Sequence, residues 1–206
     1  MLNTLVVDFH SKMKTEEEIE LLLKAIPGIT KRQSQKIIGY FLENDIEKLE
    51  HIYQLIKSLK SKIKKCQNCN AYSEKDTCDI CDDKFREKKL MVVLSQEDLK
   101  KFEALEIYKG RYFVIEELYD LKKSNEKFNR NLEKLLIVAK NVSEIVIALS
   151  ATVEGQFTTQ FIKKILKDKI NFDNAYQLSM GIPLGVQVEY VDPVTLKQSL
   201  INKTKI

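Results

Sequence analysis

Four cysteines fall within sixteen consecutive residues as Cys66-x2-Cys69-x8-Cys78-x2-Cys81, and the chain has no others. Each Cys-x-x-Cys pair bends the backbone into a tight knuckle that presents two thiolates. Two facing knuckles form the tetrahedral sulfur shell that Zn²⁺ accepts, at about 2.3 Å per ligand. The eight residues between the pairs, 70–77, are mostly polar, as a short exposed loop requires. Two disulfides or four unrelated buried thiols are the alternatives, but scattered core cysteines have no reason to adopt this spacing. Four thiolates close the shell and leave no position for water or substrate, so the pattern predicts one structural Zn²⁺ per chain.

With 206 residues the chain can bury a sizeable core, as one large domain or several small ones. Its formal charge of +4 falls to about +2 once four thiolates and one Zn²⁺ are counted, so local clustering decides what partners it suits. No stretch approaches the roughly 18–20 apolar residues of a membrane span. The opening MLNTLVVDFH turns polar too soon for a secretory signal. Reduced, metallated cysteines fit a cytoplasmic location.

Thr15 and Glu18 form a capping-box pattern ahead of an apolar series, Ile19, Leu22, Leu23 and Ile26, which Pro27 and Gly28 terminate. A second helix turns Ile37, Ile38 and Phe41 inward. A third apolar series runs Ile46, Leu49, Ile52, Ile56, Leu59, Ile63. One-sided helices of this kind must pack together to bury their faces. Beyond the cysteines the pattern changes. Residues 90–94, 112–115 and 144–149 are short apolar runs suited to strands buried on both faces. Helical stretches near 96–105, 129–140 and 158–167 separate them, which predicts a parallel sheet with covering helices. Residues 122–131 read as a polar loop, and 186–191 as a last strand.

The turn Ile26-Pro27-Gly28-Ile29-Thr30 between the first two helices resembles a helix-hairpin-helix, in which the turn offers backbone amides to a DNA phosphate. Gly28 permits close approach and positive φ. Thr30 stands where a second glycine is usual, and a β-branched residue resists positive φ, so a departure from the standard hairpin is expected there. Lys31, Arg32 and Lys36 follow as candidate phosphate partners. Lys57, Lys60, Lys62, Lys64 and Lys65 then form a run without an acid. On a continued helix Lys57, Lys60 and Lys64 share one face, either a solvated surface or a DNA track. An ordinary helical turn with solvated lysines is the plainer reading of both features.

Ala148-Leu-Ser150-Ala-Thr152-Val-Glu154-Gly155-Gln156 resembles the Ala-Thr-Asp-Pro-Asp-x-Glu-Gly-Glu segment of Toprim domains. Gly110-Arg-Tyr-Phe-Val114 is similar to the second Toprim strand. Gly181-Ile-Pro183-Leu-Gly185, with Glu189-Tyr190-Val-Asp192 and Thr195-Leu196 after it, resembles the C-terminal motif of the RecR family of bacterial recombination mediators. The order helix-hairpin-helix, four-cysteine finger, Toprim is that family's. Active Toprim enzymes hold Mg²⁺ on a glutamate after the first strand and an Asp-x-Asp pair. Here those positions read Leu94, Ser150 and Thr152, Gln156 replaces a further acid, and Glu154 alone survives. No Ser-His-Asp set or phosphate-binding Gly-x-x-x-x-Gly-Lys loop takes their place. His10 and His51 have no evident partner and read as structural or exposed.

The resemblance implies a multidomain α/β chain. A helix-hairpin-helix domain covers 1–56, a four-cysteine zinc finger with its basic stripe 57–87, and a Toprim-like parallel sheet with flanking helices 88–180. A short C-terminal β segment for assembly covers 181–206. It implies a cytoplasmic, nucleoid-associated, non-enzymatic mediator of recombinational DNA repair, built as a homotetrameric ring. Such a protein binds DNA through its backbone without sequence preference. It acts with RecO-type proteins, and RecF-type proteins where they exist, to help load RecA onto single strands. Arg32, Lys36, Lys31, Gly28, Lys57, Lys60 and Lys64 are its expected DNA contacts, and Glu154 its expected partner contact. The competing class is a Mg²⁺-dependent Toprim nuclease or primase-like enzyme.

Overall fold

The computed structural model describes residues 14–179 and 181–203, and these divide into two compact units, the first ending at Lys62 and the second beginning at Ile63. His10 lies outside the described residues. The first unit is helical: α1 (14–24), α2 (Lys31–Glu43) and α3 (Ile46–Lys62). Lys14 is already helical, so Thr15 lies within α1 and does not cap it. Along α2 the expected face is inward: Ile38 is buried, and Ile37 and Phe41 are half-buried.

The other two faces depart from expectation. In the first apolar series Ile19 and Leu23 are half-buried but Leu22 and Ile26 exposed, and α3 buries none of its residues fully, with Leu49 and Ile52 half-covered and Ile46, Ile56 and Leu59 exposed. Three short helices carry more apolar surface than a unit of this size covers by itself. The helix α3 also stops at Lys62, so Ile63 and Lys64 do not extend its faces. Lys64 instead belongs to β1 (Lys64–Lys65), which pairs antiparallel with β2 (Tyr72–Ser73) to make the hairpin carrying the first knuckle. A helix running through residue 64 would leave no chain for that hairpin.

In the second unit, α4 (Asp79–Asp82) holds the second knuckle, followed by β3 (Lys89–Val93), α5 (Gln96–Ala104) and β4 (Arg111–Val114). Then come α6 (Glu126–Ala139), β5 (Glu144–Ala148), α7 (Val153–Ile170) and β6 (Ala175–Gln177). The four-stranded sheet is parallel throughout, in the order β4-β3-β5-β6. Strand β6 is short and was not expected. The helix α6 begins inside the stretch read as a loop. The expected strand over 186–191 is absent: Val188–Tyr190 forms a 3-10 turn, and α8 (Pro193–Ile201) follows it. Asp192 explains that ending. Its side chain accepts from the Val194 and Thr195 amides, with Pro193 at the first helical position.

Period-two alternation sends the residues of each strand to two different layers. Leu90, Val92, Phe113, Ile115, Ile145 and Ile147 pack with Phe128, Leu135, Ile162 and Leu166 of α6 and α7. Met91, Val93, Tyr112 and Val114 face the other way, against Leu99 of α5 and against Cys66, Cys69, Ala71 and Cys78. The cysteine segment is therefore one of the layers that cover the sheet.

Candidate metal centre and nucleic-acid interface

Ligand atoms of Cys66, Cys69, Cys78 and Cys81 lie within 4.8 Å of one another, and three of the four residues are buried. The Cys69 and Cys78 sulfurs are 3.5 Å apart, close to the roughly 3.8 Å edge of a tetrahedron with 2.3 Å metal–sulfur bonds. The knuckles hold this geometry through backbone hydrogen bonds. Asn70 N–H donates to the Cys66 carbonyl at 3.0 Å, and Cys81 N–H to that of Cys78 at 2.9 Å. Cys78 N–H points at the Cys66 sulfur, at 3.3 Å. The shared Cys69–Cys78 sulfur contact, and then that of Cys81 with Cys78, holds the Cys78 thiol far below its ordinary range, and the contact with Cys78 pushes Cys69 far above it. Four thiolates need a cation among them, and the donor set fits Zn²⁺. Among the described residues this is the one grouping of three or more His, Cys, Asp or Glu with metal-binding geometry.

The carboxyl ends of β3 and β5, where parallel sheets place their ligands, carry the Toprim-type positions. Leu94 packs against the core. Ser150 and Thr152 hydroxyls lie 3.1 Å apart, and Thr152 caps α7 by accepting from Gly155 N–H at 3.1 Å. Gly155 lets the helix meet the strand-end turn, since a Cβ there would lie 2.1 Å from the Ser150 carbonyl oxygen. An adjoining cleft of about 330 Å³ is lined by Ser150, Gln156, Thr159, Gln177 and Ser179, and among the described residues no carboxylate lines it. Glu154 stands exposed in the first turn of α7. Neutral hydroxyls and amides offer a hard divalent cation little in place of the missing acids.

In the first unit, Gly28 takes φ +86° and a Cβ there would meet nothing within 4 Å, so it serves backbone conformation alone. Thr30 avoids the difficulty its β-branch posed. It lies at φ −85°, extended, as the N-cap of α2, and forms a reciprocal capping box with Gln33. That box satisfies the Thr30 and Gln33 amides, so those of Lys31 and Arg32 lack partners within the helix. Lys31, Arg32 and Lys36 are exposed beside them. Lys57 and Lys60 are exposed on α3. Lys64 is in the second unit, where its ammonium lies 2.5 Å from Asp76, so it does not continue their stripe.

Sequence reasoning missed a network around Asn70, Asn131 and Glu116. Asn70, 1% exposed, donates to the Val114 carbonyl at 3.0 Å and to Asn131 Oδ1 at 3.2 Å. These partners lie 44 and 61 residues away in the chain, and no local pattern announces such pairs.

Comparison with known proteins agrees with this architecture. Residues 63–83 match the four-cysteine zinc finger domain of RecR, 88–175 a Toprim domain, and 181–204 the RecR C-terminal domain. Recombination protein RecR of Mycoplasmopsis pulmonis is 39% identical over 188 residues, covering 91% of this chain and 96% of that protein. The protein of that name from Ureaplasma urealyticum is 36% identical over 200 residues, covering 94% and 99%. That from Finegoldia magna is 28% identical over 196, covering 94% and 97%. The finger match and the four-sulfur geometry together make the centre a structural zinc site. With near full-length similarity and all three matched segments in order, the chain belongs to the RecR family of recombination proteins.

Proposed function

We propose that this protein is a non-enzymatic mediator of recombinational DNA repair. It binds the DNA backbone without sequence preference, and with a RecO-type partner, and a RecF-type one where present, it helps load RecA onto single-stranded DNA. The observation that carries the DNA reading is the hairpin. Gly28 at positive φ, two amides left by the Thr30 cap, and three exposed cations converge at the start of α2. Such a site reads phosphate and not sequence. Lys57 and Lys60, exposed on α3, are additional phosphate contacts in this proposal, whereas Lys64 is engaged by Asp76. Leu94, Ser150 and Thr152 at the Toprim acid positions support a binding role over Mg²⁺-dependent cleavage or primer synthesis. The working division of labour keeps 1–56 for DNA, 57–87 for zinc and the basic stripe, 88–180 for the partner and 181–206 for assembly.

Replacing Arg32 and Lys36 by Ala should flatten the slope of log K against log[salt] by about two, because each neutralised phosphate releases roughly one counterion. A double variant with the parent's slope would move the DNA site elsewhere. Incubation of labelled DNA with the protein and Mg²⁺ or Mn²⁺ should leave the DNA intact; cleavage or extension would make it an enzyme.

A further inference from the structure

We infer that the zinc centre extends beyond its four ligands. Asn131 of α6 and Glu116 at the end of β4 are positioning residues of the metal site, and zinc occupancy is linked to the order of the sheet's carboxyl edge.

Two residues beside the ligands reach out of the finger. Asn70, next to Cys69, takes φ +60°, the left-handed region that asparagine tolerates better than most residues other than glycine. Held there, it uses its whole amide. It donates to Val114 O and Asn131 Oδ1, and it accepts from Lys134 Nζ at 3.3 Å. Its carbonyl accepts from Gln96 at 2.8 Å, and Gln96 accepts from Tyr72 N–H at 2.9 Å, which ties the hairpin to α5. The Cys69 carbonyl itself accepts from Val114 N–H at 2.8 Å. Lys65, next to Cys66, forms an ion pair with Glu116.

The far side of the network is equally constrained. Asn131, 6% exposed, donates to the Ile115 carbonyl at 2.9 Å and to Glu116 at 3.2 Å. Glu116 adopts φ +70°, accepts the Asn131 amide, and also lies 3.6 Å from Lys127. A strained backbone of this kind persists only where its surroundings over-determine it. Here Glu116 N–H donates to the Leu94 carbonyl at 3.0 Å, and its side chain is held by one residue of the finger and two of α6. Partners that orient ligand-bearing backbone commonly change metal affinity by about 10–100-fold when removed. Linkage is reciprocal, so losing zinc must loosen what the finger holds.

The test is zinc release to a colorimetric chelator from the full-length, zinc-loaded protein. Asn131→Leu should release zinc about tenfold faster, and Glu116→Gln, which keeps the hydrogen bond but loses the ion pairs, should fall between it and the parent. Leu135→Ala on the same helix hollows the opposite layer, so it should lower the melting temperature while leaving zinc release at the parental rate. Hydrogen exchange supplies the converse. Removing zinc should expose the amides of 114–116 and 126–135 while β5 and α7 stay protected. Parental release rates in both network variants would overturn the inference. So would equal acceleration by Leu135→Ala, which would make the effect one of global stability.

Discussion

Thr30 and Glu116 meet the same backbone problem from opposite sides. Thr30 occupies a hairpin position suited to glycine and escapes by taking an extended conformation, where its hydroxyl caps α2. Thr30→Ala should therefore destabilise the helical unit by about 1 kcal/mol, read as a lower urea midpoint, whereas Thr30→Ser should be nearly silent. Glu116 accepts positive φ and is held by its partners. Gly155 is the third such residue, set by distance and not by φ. A methyl at Gly155 must displace the Ser150 backbone. Gly155→Ala should cost about 1–3 kcal/mol in thermal or chemical unfolding, and a wild-type midpoint would show that the turn yields freely.

At the scale of elements, the Arg86–Glu103 pair joins the loop after the second knuckle to α5. The guanidinium also donates to the Gly110 carbonyl at 3.2 Å. The hydrogen bond from Arg86, reinforced by its charge, holds the Glu103 carboxyl below its ordinary range. A carboxyl depressed in the folded state stabilises above its unfolded value, and that contribution disappears as pH falls through the folded one. Glu103→Gln should thus lower the melting temperature at pH 7 by about 2–4 °C. The gap between parent and variant should close on acidification, whereas a gap independent of pH would assign the effect to packing. Strands β3, β4 and β5 were legible because each is a short, mostly apolar run that is largely buried on both faces, and α5 falls in the helical stretch expected near 96–105, where Ser95 and Asp98 make its capping box. The finger was legible because ligand spacing is local. Strand β6 is three residues long and is specified by its pairing with β5, which no local pattern contains. Residues 186–191 carry a strand-like apolar content but no partner strand, and the cap at Asp192 decides for helix. The face of α3 was legible in period but not in burial, since period does not say what covers a face.

Across the whole molecule, the exposed apolar residues and the surviving acid point to assembly and partnership. Leu55, Ile56 and Leu59 on α3, and Leu184, Tyr190 and Leu200 near the C-terminus, are each more than half exposed. Single exposed apolar residues are ordinary, but series of them mark association surfaces. A second copy of the chain is the proposed cover. Light scattering should give a mass of several chains, and Leu59→Lys or Tyr190→Asp should reduce it; a monomeric parent would refute the homotetrameric ring that the family resemblance implies. Glu154 gives the sharper test. It stands exposed in the first turn of an 18-residue helix, beside hydroxyl and amide side chains, and among the described residues it belongs to no acid cluster that could share a cation. A lone carboxylate so placed is suited to a basic side chain on a RecO-type protein, where opposite charge sets both encounter rate and register. Glu154→Lys should weaken that complex at least tenfold, most strongly at low salt, while zinc content and oligomeric mass stay at parental values. Glu154→Gln should lose less, because it removes the attraction without adding repulsion. If the Lys variant binds the RecO-type protein as tightly as the parent in a titration, the partner docks elsewhere and Glu154 is only a solvated acid at a helix start.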